Sequence, residues 1–302
     1  MSRRAIPDTT KVPAAAVTMA YKDYHLLENW VDYYGKQFGR EHLYVLSHGG
    51  DPEHKKIADG CNVIYLPRDE TMTKWDRLRW SFLSDFTSGL LRYYNWVICG
   101  DVDEIVVVDP EQADNLIEYL YRHTTHAAPK SLSPFGIEII HNPEWEERSI
   151  AAAGTLLEKR RVFRINANYA KPCVIRHDVG FTTGGHANNH QPRYLDPHLY
   201  LIHLRYYDYD LAIERLKSRA DMRKIISADS GDEAKQPWAS GVENYKKMIS
   251  SNAPVSVTME FPEFRKTMID KAKDLHDGRV TFFGGGRSKE LYRLPDRFVS
   301  LF

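Results

Sequence analysis

At 302 residues the chain is long enough to bury one large α/β core, with or without a helical appendage. Lysine plus arginine and aspartate plus glutamate both number 41, so the formal net charge is zero, which argues against a dedicated nucleic-acid binder. No apolar run reaches the roughly 18 residues of a membrane span, and the three scattered cysteines, Cys61, Cys99 and Cys173, have no metal-type spacing.

The start, Met1-Ser2-Arg3-Arg4, leads into no apolar segment, so no secretory signal is expected. Unpaired thiols fit a reducing cytosol, and any membrane contact is expected to be peripheral. The aromatic share of 12% is mostly a matter of core, though sugar-binding surfaces also use aromatic faces.

In chain order, residues 1–11 are polar and expected to be loose. Val12–Ala20 predicts a first buried strand. Leu26, Leu27, Trp30, Val31, Tyr34 and Phe38 recur at helical spacing, and Gly39 stops that helix. Leu43–Ser47 predicts a second strand, closed by the turn His48-Gly49-Gly50-Asp51-Pro52. Asn62–Leu66 predicts a third. Residues 73–94 predict a long amphipathic helix with Trp75, Leu78, Phe82, Phe86 and Leu90 on one face, followed by a strand at 96–99. This alternation predicts a doubly wound sheet with parallel crossovers. Ligands bind such sheets beyond the carboxyl ends of the strands, so the loops after Met19, Leu46 and Cys99 are expected to face one crevice.

Pro110–His123 predicts a helix with Asp109 as N-cap and Pro110 at its first position. Ser131–Ile140 is a strand region, and Leu156–Ile165 fits strand or helix. Cys173–Ile175 and Leu199–Leu204 predict strands. Helix is expected from Leu211 onward and over Phe264–Leu275, with a polar loop over Ala228–Pro237 and a flexible, basic loop over Phe283–Lys289.

The densest chemistry lies where the apolar run Trp96–Cys99 meets Gly100-Asp101-Val102-Asp103-Glu104. Carboxylates at the end of a buried strand are costly unless compensated. Asp101 and Asp103, one residue apart, are expected on the same side, where a divalent ion between them relieves their repulsion. Their hard oxygens suit Mg2+ or Mn2+, which makes the pair a candidate for holding a metal–diphosphate. A solvated strand end or a helix-capping cluster is the plain alternative. A haloacid-dehalogenase-type phosphatase also places Asp-x-Asp after a strand, but near the N-terminus and followed by Gly-Thr, unlike this chain.

Several segments in order resemble the family 2-like and family 92-like glycosyltransferases, over roughly residues 14–220. They are Thr18-Met19-Ala20-Tyr21-Lys22-Asp23 with Leu26-Leu27-Glu28-Asn29-Trp30, Gly100–Glu104, Ser133-Pro134-Phe135-Gly136, Lys171–Ile175 leading to His186, and His203 before Tyr206. Family members often carry Asn-Glu where this chain has Lys22-Asp23. The resemblance implies a GT-A-like α/β fold with a doubly wound mixed sheet. A nucleotide-sugar-binding half is expected over 1–110, an acceptor half over 111–210, and C-terminal helices and tail over 211–302.

It further implies metal-dependent sugar transfer, with inversion, from a nucleotide-sugar donor. The expected donor is a uridine diphosphate sugar, and the expected acceptor a surface glycan or lipid-linked saccharide made at the inner membrane face in the cytoplasm. Ala20, Tyr21, Asp23 and Asp51 would surround base and ribose, although Asp51 also reads as a simple turn residue before Pro52. Asp101 and Asp103 would hold Mn2+ or Mg2+ against the diphosphate, with His203 as third ligand; a hydrogen-bonded core histidine is the alternative.

Lys171 would reach the diphosphate or a carboxylate partner; a plain surface lysine is the alternative. His177, His186 and His190, with Phe181–Gly185, would line the acceptor side, and Arg287 and Lys289 would close over the phosphates. The catalytic base is expected to be Asp178 or Glu138, with Asp178 favoured because Glu138 alternates with Ile137 and Ile139 and can simply face water. A nucleotidyltransferase and a non-catalytic nucleotide- or glycan-binding protein are the rival readings. The first would want glycines in the loop Ala20–Tyr24, which has none. Oligomeric state is open.

Overall fold

The computed structural model of the protein describes residues 7–68, 75–124, 129–147, 154–217, 241–250, 253–275 and 280–302. The first half alternates strand and helix as the pattern requires: β1 (Val12–Ala20), α1 (Tyr24–Phe38), β2 (Leu43–His48), α2 (Pro52–Ile57), β3 (Asn62–Leu66), α3 (Trp75–Leu90) and β4 (Tyr94–Cys99). These strands lie in the order β3-β2-β1-β4, all parallel, so their carboxyl ends share one edge. β1 shows why the sheet is covered on both faces. Ala14, Ala16 and Ala20 pack with Leu27, Trp30 and Tyr34 of α1, whereas Ala15, Val17 and Met19 pack with Trp80, Leu83 and Leu90 of α3.

The second half adds β5 (Glu104–Val108), α4 (Leu116–Arg122), β6 (Ser131–Ile140), α5 (Leu156–Lys159), β7 (Val162–Ile165), β8 (Val174–Ile175) and β9 (Leu195–Tyr206). Then come α6 (helical from 209 to 217), α7 (Gly241–Ile249), β10 (Val255–Ser256), α8 (Pro262–Asp270), β11 (Lys273–Leu275), β12 (Val280–Phe282) and β13 (Tyr292–Arg293). β6 joins the halves. Its first residues pair antiparallel with β8, which borders β4, and its later residues lie between β7 and β9. β9 in turn pairs antiparallel with β5. The result is a mixed α/β fold around one large sheet. Among the described residues no helix is long and apolar enough to cross a membrane.

Four expectations are corrected. On α3 the packed face is Trp80, Leu83, Ser84, Thr87 and Leu90, while Trp75, Leu78 and Phe82 are exposed. Small residues let this second face approach the sheet, so of the expected stripe only Phe86, partly buried, and Leu90 pack against it. Helix α4 begins six residues later than expected for Pro110, at Leu116, because Asn115 caps it by accepting from Glu118 N at 2.9 Å. Asp109 instead forms a local turn and an ion pair with Arg297 at 2.7 Å. The helix expected to Leu275 ends at Asp270 and gives way to β11.

The Phe283–Lys289 loop is anchored rather than loose. Ala167 N donates to Gly286 O, and Ser288 N to Ile165 O, both at 2.9 Å. The polar loop expected over Ala228–Pro237 lies outside the described residues.

Candidate metal and nucleotide site

The acidic loop closes the carboxyl end of β4 in a tight turn and runs directly into β5. Glu104 on β5 is paired in register with His203 on β9, His203 with Glu138 on β6, and Glu138 with Arg164 on β7. Residues in register on neighbouring strands present their side chains to the same face. Four strands therefore set Glu104, His203, Glu138 and Arg164 in one row.

Asp103 hangs over the end of this row, with Oδ2 3.6 Å from His203 Nε2. Asp103, Glu104 and His203 each offer a ligand atom, all within 4.8 Å of one another and all buried. Two carboxylate oxygens and one imidazole nitrogen make a donor set that can hold a divalent ion such as Mn2+. This trio differs from the expected one by a residue: Glu104 stands where Asp101 was expected.

Asp101 has other company. Arg79 from α3 reaches its Oδ1 at 2.7 Å, and Lys171 reaches its Oδ2 at 3.1 Å. Burial alone would raise the Asp101 carboxyl, but the two cations outweigh it and hold the group well below the usual carboxylate range. Lys171 also meets Glu104 Oε1 at 2.6 Å. Burial nevertheless pushes Glu104 up to about 7 against the pull of Lys171. Lys171, itself buried, is held above its ordinary value by Asp101 and Glu104 despite the cost of burial. Of the two expected roles of Lys171, the carboxylate partner is the one present.

Of the two base candidates, Glu138 is buried rather than facing water. Its Oε1 lies 3.2 Å from His203 Nδ1, and its Oε2 accepts from Arg164 Nε at 2.7 Å. Burial opposes ionisation, but Arg164 and His203 outweigh it and hold the carboxyl well below the usual range. Asp178 is not in the crevice. β8 runs antiparallel to β4 and carries the chain away from Lys171, so Asp178 ends exposed beside Arg92, 2.6 Å from its guanidinium, at the opposite end of β4.

His177 and His190 lie at that far end too, with His190 Nε2 3.3 Å from His177 O. His186 stays near Lys171. Its Nδ1 is 2.9 Å from Asn168 O, and burial, then Lys171, push its imidazole down to about 4. Arg287 is exposed and bridges to Asn166 through the backbone.

The loops after β1 and β2 form the other wall. Ala20 is buried at the end of β1, paired with Ser47. The Tyr21 ring carries the Arg68 guanidinium 3.6 Å from its centroid and meets His48 edge-on at 6.5 Å. Trp75 lies 6.4 Å from His48. Asp23 pairs with Arg215 of α6 at 2.9 Å, and Arg215 also comes within 3.9 Å of Asp103. Asp51 caps α2 by accepting from Glu53 N at 2.9 Å, and it accepts from Tyr24 OH at 2.7 Å.

Arg79, Arg164, Tyr169 and Arg215 were not singled out in the sequence. Tyr169 lies flat on His203, ring centroids 3.7 Å apart. No local motif marks these residues, because each reaches the site through strand register, a distant helix or, for Tyr169, the short turn after β7.

No family model matches the chain, and no curated protein matches it. Among solved structures, mannose-1-phosphate geranyltransferase from Thermus thermophilus is 12% identical with a TM-score of 0.27, covering 80% of this chain. The chain spans 65% of that protein's length. Mannosyltransferase PcManGT from Pyrobaculum calidifontis, solved with GDP-Man and Mn2+, is 13% identical with a TM-score of 0.33, covering 82% of this chain and 72% of its own. Likeness at this level leaves the chemistry to be argued from the side chains.

Proposed function

We propose that the protein is a divalent-metal-dependent glycosyltransferase that takes a nucleotide-sugar donor, with a uridine diphosphate sugar as the first candidate. A glycan or lipid-linked saccharide is the proposed acceptor. The observation that carries the reading is the buried Asp103–Glu104–His203 donor set at the carboxyl edge of the parallel strands, where α/β sheets bind ligands. Asp103, Glu104 and His203 would hold Mn2+ or Mg2+. A divalent ion there neutralises charge that develops on a departing diphosphate, with no proton transferred.

The chain's own residues supply the rest. Arg79 and Lys171 stand beside the ion site with cationic nitrogens directed at the loop, so they can donate to phosphate oxygens as Asp101 gives them up. Tyr21, His48 and Trp75 offer aromatic surface for a base. Glu138 orients His203 rather than taking a proton, since Arg164 and His203 both hold it ionised. Asp178 has no part in this reading.

The test is binding of UDP, and hydrolysis or transfer of its sugars, with Mn2+ and with EDTA. Asp103→Asn should lose metal-dependent nucleotide binding and turnover together. Unchanged affinity and turnover in that variant would refute the proposed site.

A further inference from the structure

Two consecutive residues of the first loop, Lys22 (φ 57) and Asp23 (φ 49), adopt the left-handed conformation. Residues other than glycine seldom do so, and the loop contains no glycine to make the turn easy. Something outside the loop must hold it. Asp23 is held by Arg215. Lys22 is held through its carbonyl oxygen, which lies 2.9 Å from Nε2 of His54, a fully buried residue of α2.

The hydrogen bonds around a neutral His54 have one consistent direction. A carbonyl only accepts, so Nε2 carries the proton and donates it to Lys22 O. In the neutral ring Nδ1 then accepts, and its partner is the Ser47 hydroxyl at 2.9 Å. The Ser47 hydroxyl in turn accepts from Asp51 N at 3.0 Å. One imidazole thus ties the ends of β1 and β2 to the start of α2, with its bonding capacity fully used.

We infer that His54 is the positioning residue of the nucleotide wall. It keeps the left-handed pair in place, and so fixes the Tyr21 ring against Arg68 and His48 in the orientation that receives the base of a nucleoside diphosphate. The inference rests on the crevice being the nucleotide site proposed above.

The experiment measures UDP and GDP binding with Mn2+ by calorimetry, and amide exchange over Tyr21–Asp23, in the full chain. His54→Asn puts an amide at the Nδ1 position but does not reach Lys22 O. It should bind about tenfold more weakly and exchange faster. His54→Gln places a donor near the Nε2 position and should stay within about threefold of the unaltered protein. Adding Lys22→Gly to His54→Asn should recover most of the affinity, because glycine adopts positive φ without steric cost.

Unchanged binding and exchange in His54→Asn overturn the inference while leaving the site intact. Equal loss in His54→Gln with no rescue by Lys22→Gly also overturns it, marking His54 as a packing residue. Failure of the unaltered protein to bind either nucleotide overturns the crevice reading along with it.

Discussion

His203 and Glu138 occupy one register position on the parallel strands β9 and β6, with His203 Nδ1 3.2 Å from Glu138 Oε1. That contact leaves Nε2 as the nitrogen turned toward Asp103. A carboxylate behind an imidazole holds the orientation of the ring as a ligand. Glu138→Gln is therefore expected to weaken Mn2+ binding by about tenfold or more, measured by calorimetry in the absence of nucleotide. Unchanged affinity would mean that the Tyr169 ring alone sets the orientation of His203.

Gly136 gives a second handle on the same imidazole. A Cβ there would lie 2.4 Å from Asn166 O and 2.5 Å from the Tyr169 carbonyl carbon. Gly136→Ala must push the 166–170 turn away from β6, and Tyr169 with it. A loss of about 1–3 kcal/mol in stability is expected from this overpacking, read from denaturant unfolding. Metal affinity should fall as well, since the ring over His203 shifts.

Lys171 holds the buried Glu104 and the half-buried Asp101 at once. Lys171→Met strands Glu104 and leaves Asp101 with Arg79 alone, and should cost about 3–5 kcal/mol. Adding Asp101→Asn and Glu104→Gln should return much of that loss, because neutral amides need no counter-charge. Thermal melts of the single and triple variants without metal decide the matter. Additive destabilisation would show that Lys171 acts by packing.

Stability should also depend on pH through His141, away from the site. Burial, then Arg160, push its imidazole down from 6.5 to about 4. Its Nδ1 accepts from Tyr209 N at 2.9 Å, which requires the neutral ring. Between pH 4 and 6.5 the unfolded chain binds the proton and the folded chain does not, so stability falls as pH drops through that window. The contribution is roughly 3 kcal/mol. His141→Asn keeps an acceptor for Tyr209 N and should flatten the acid side of the stability curve.

The half of the fold that obeys local rules was legible in the sequence. β1–β4 and α1 follow from apolar periodicity, and their shared carboxyl edge follows from topology. Asp103 and His203 were legible as candidates because each ends an apolar run. Glu104 was not, since a carboxylate opening a strand reads as surface until β9 is known to lie beside it. Glu138 shows the same limit. Its alternation with two isoleucines gives it a face, but whether that face meets water depends on β7 and β9 on either side. Asp178 was misplaced because a two-residue strand, β8, turned the chain away from the crevice, and nothing so short has a readable direction.

The register that builds the ion site has a consequence for how the chain reaches its final state. Glu104 and His203 are about a hundred residues apart, and they meet only when β5 has paired with β9. Closing so long a loop is expected to come late, because its entropic cost precedes the contacts that repay it. A partly folded chain with β1–β4 alone carries Asp103 and Glu104 but lacks the imidazole. A divalent ion therefore favours only the completed sheet, and added Mn2+ should slow unfolding more than it speeds the first stages of folding.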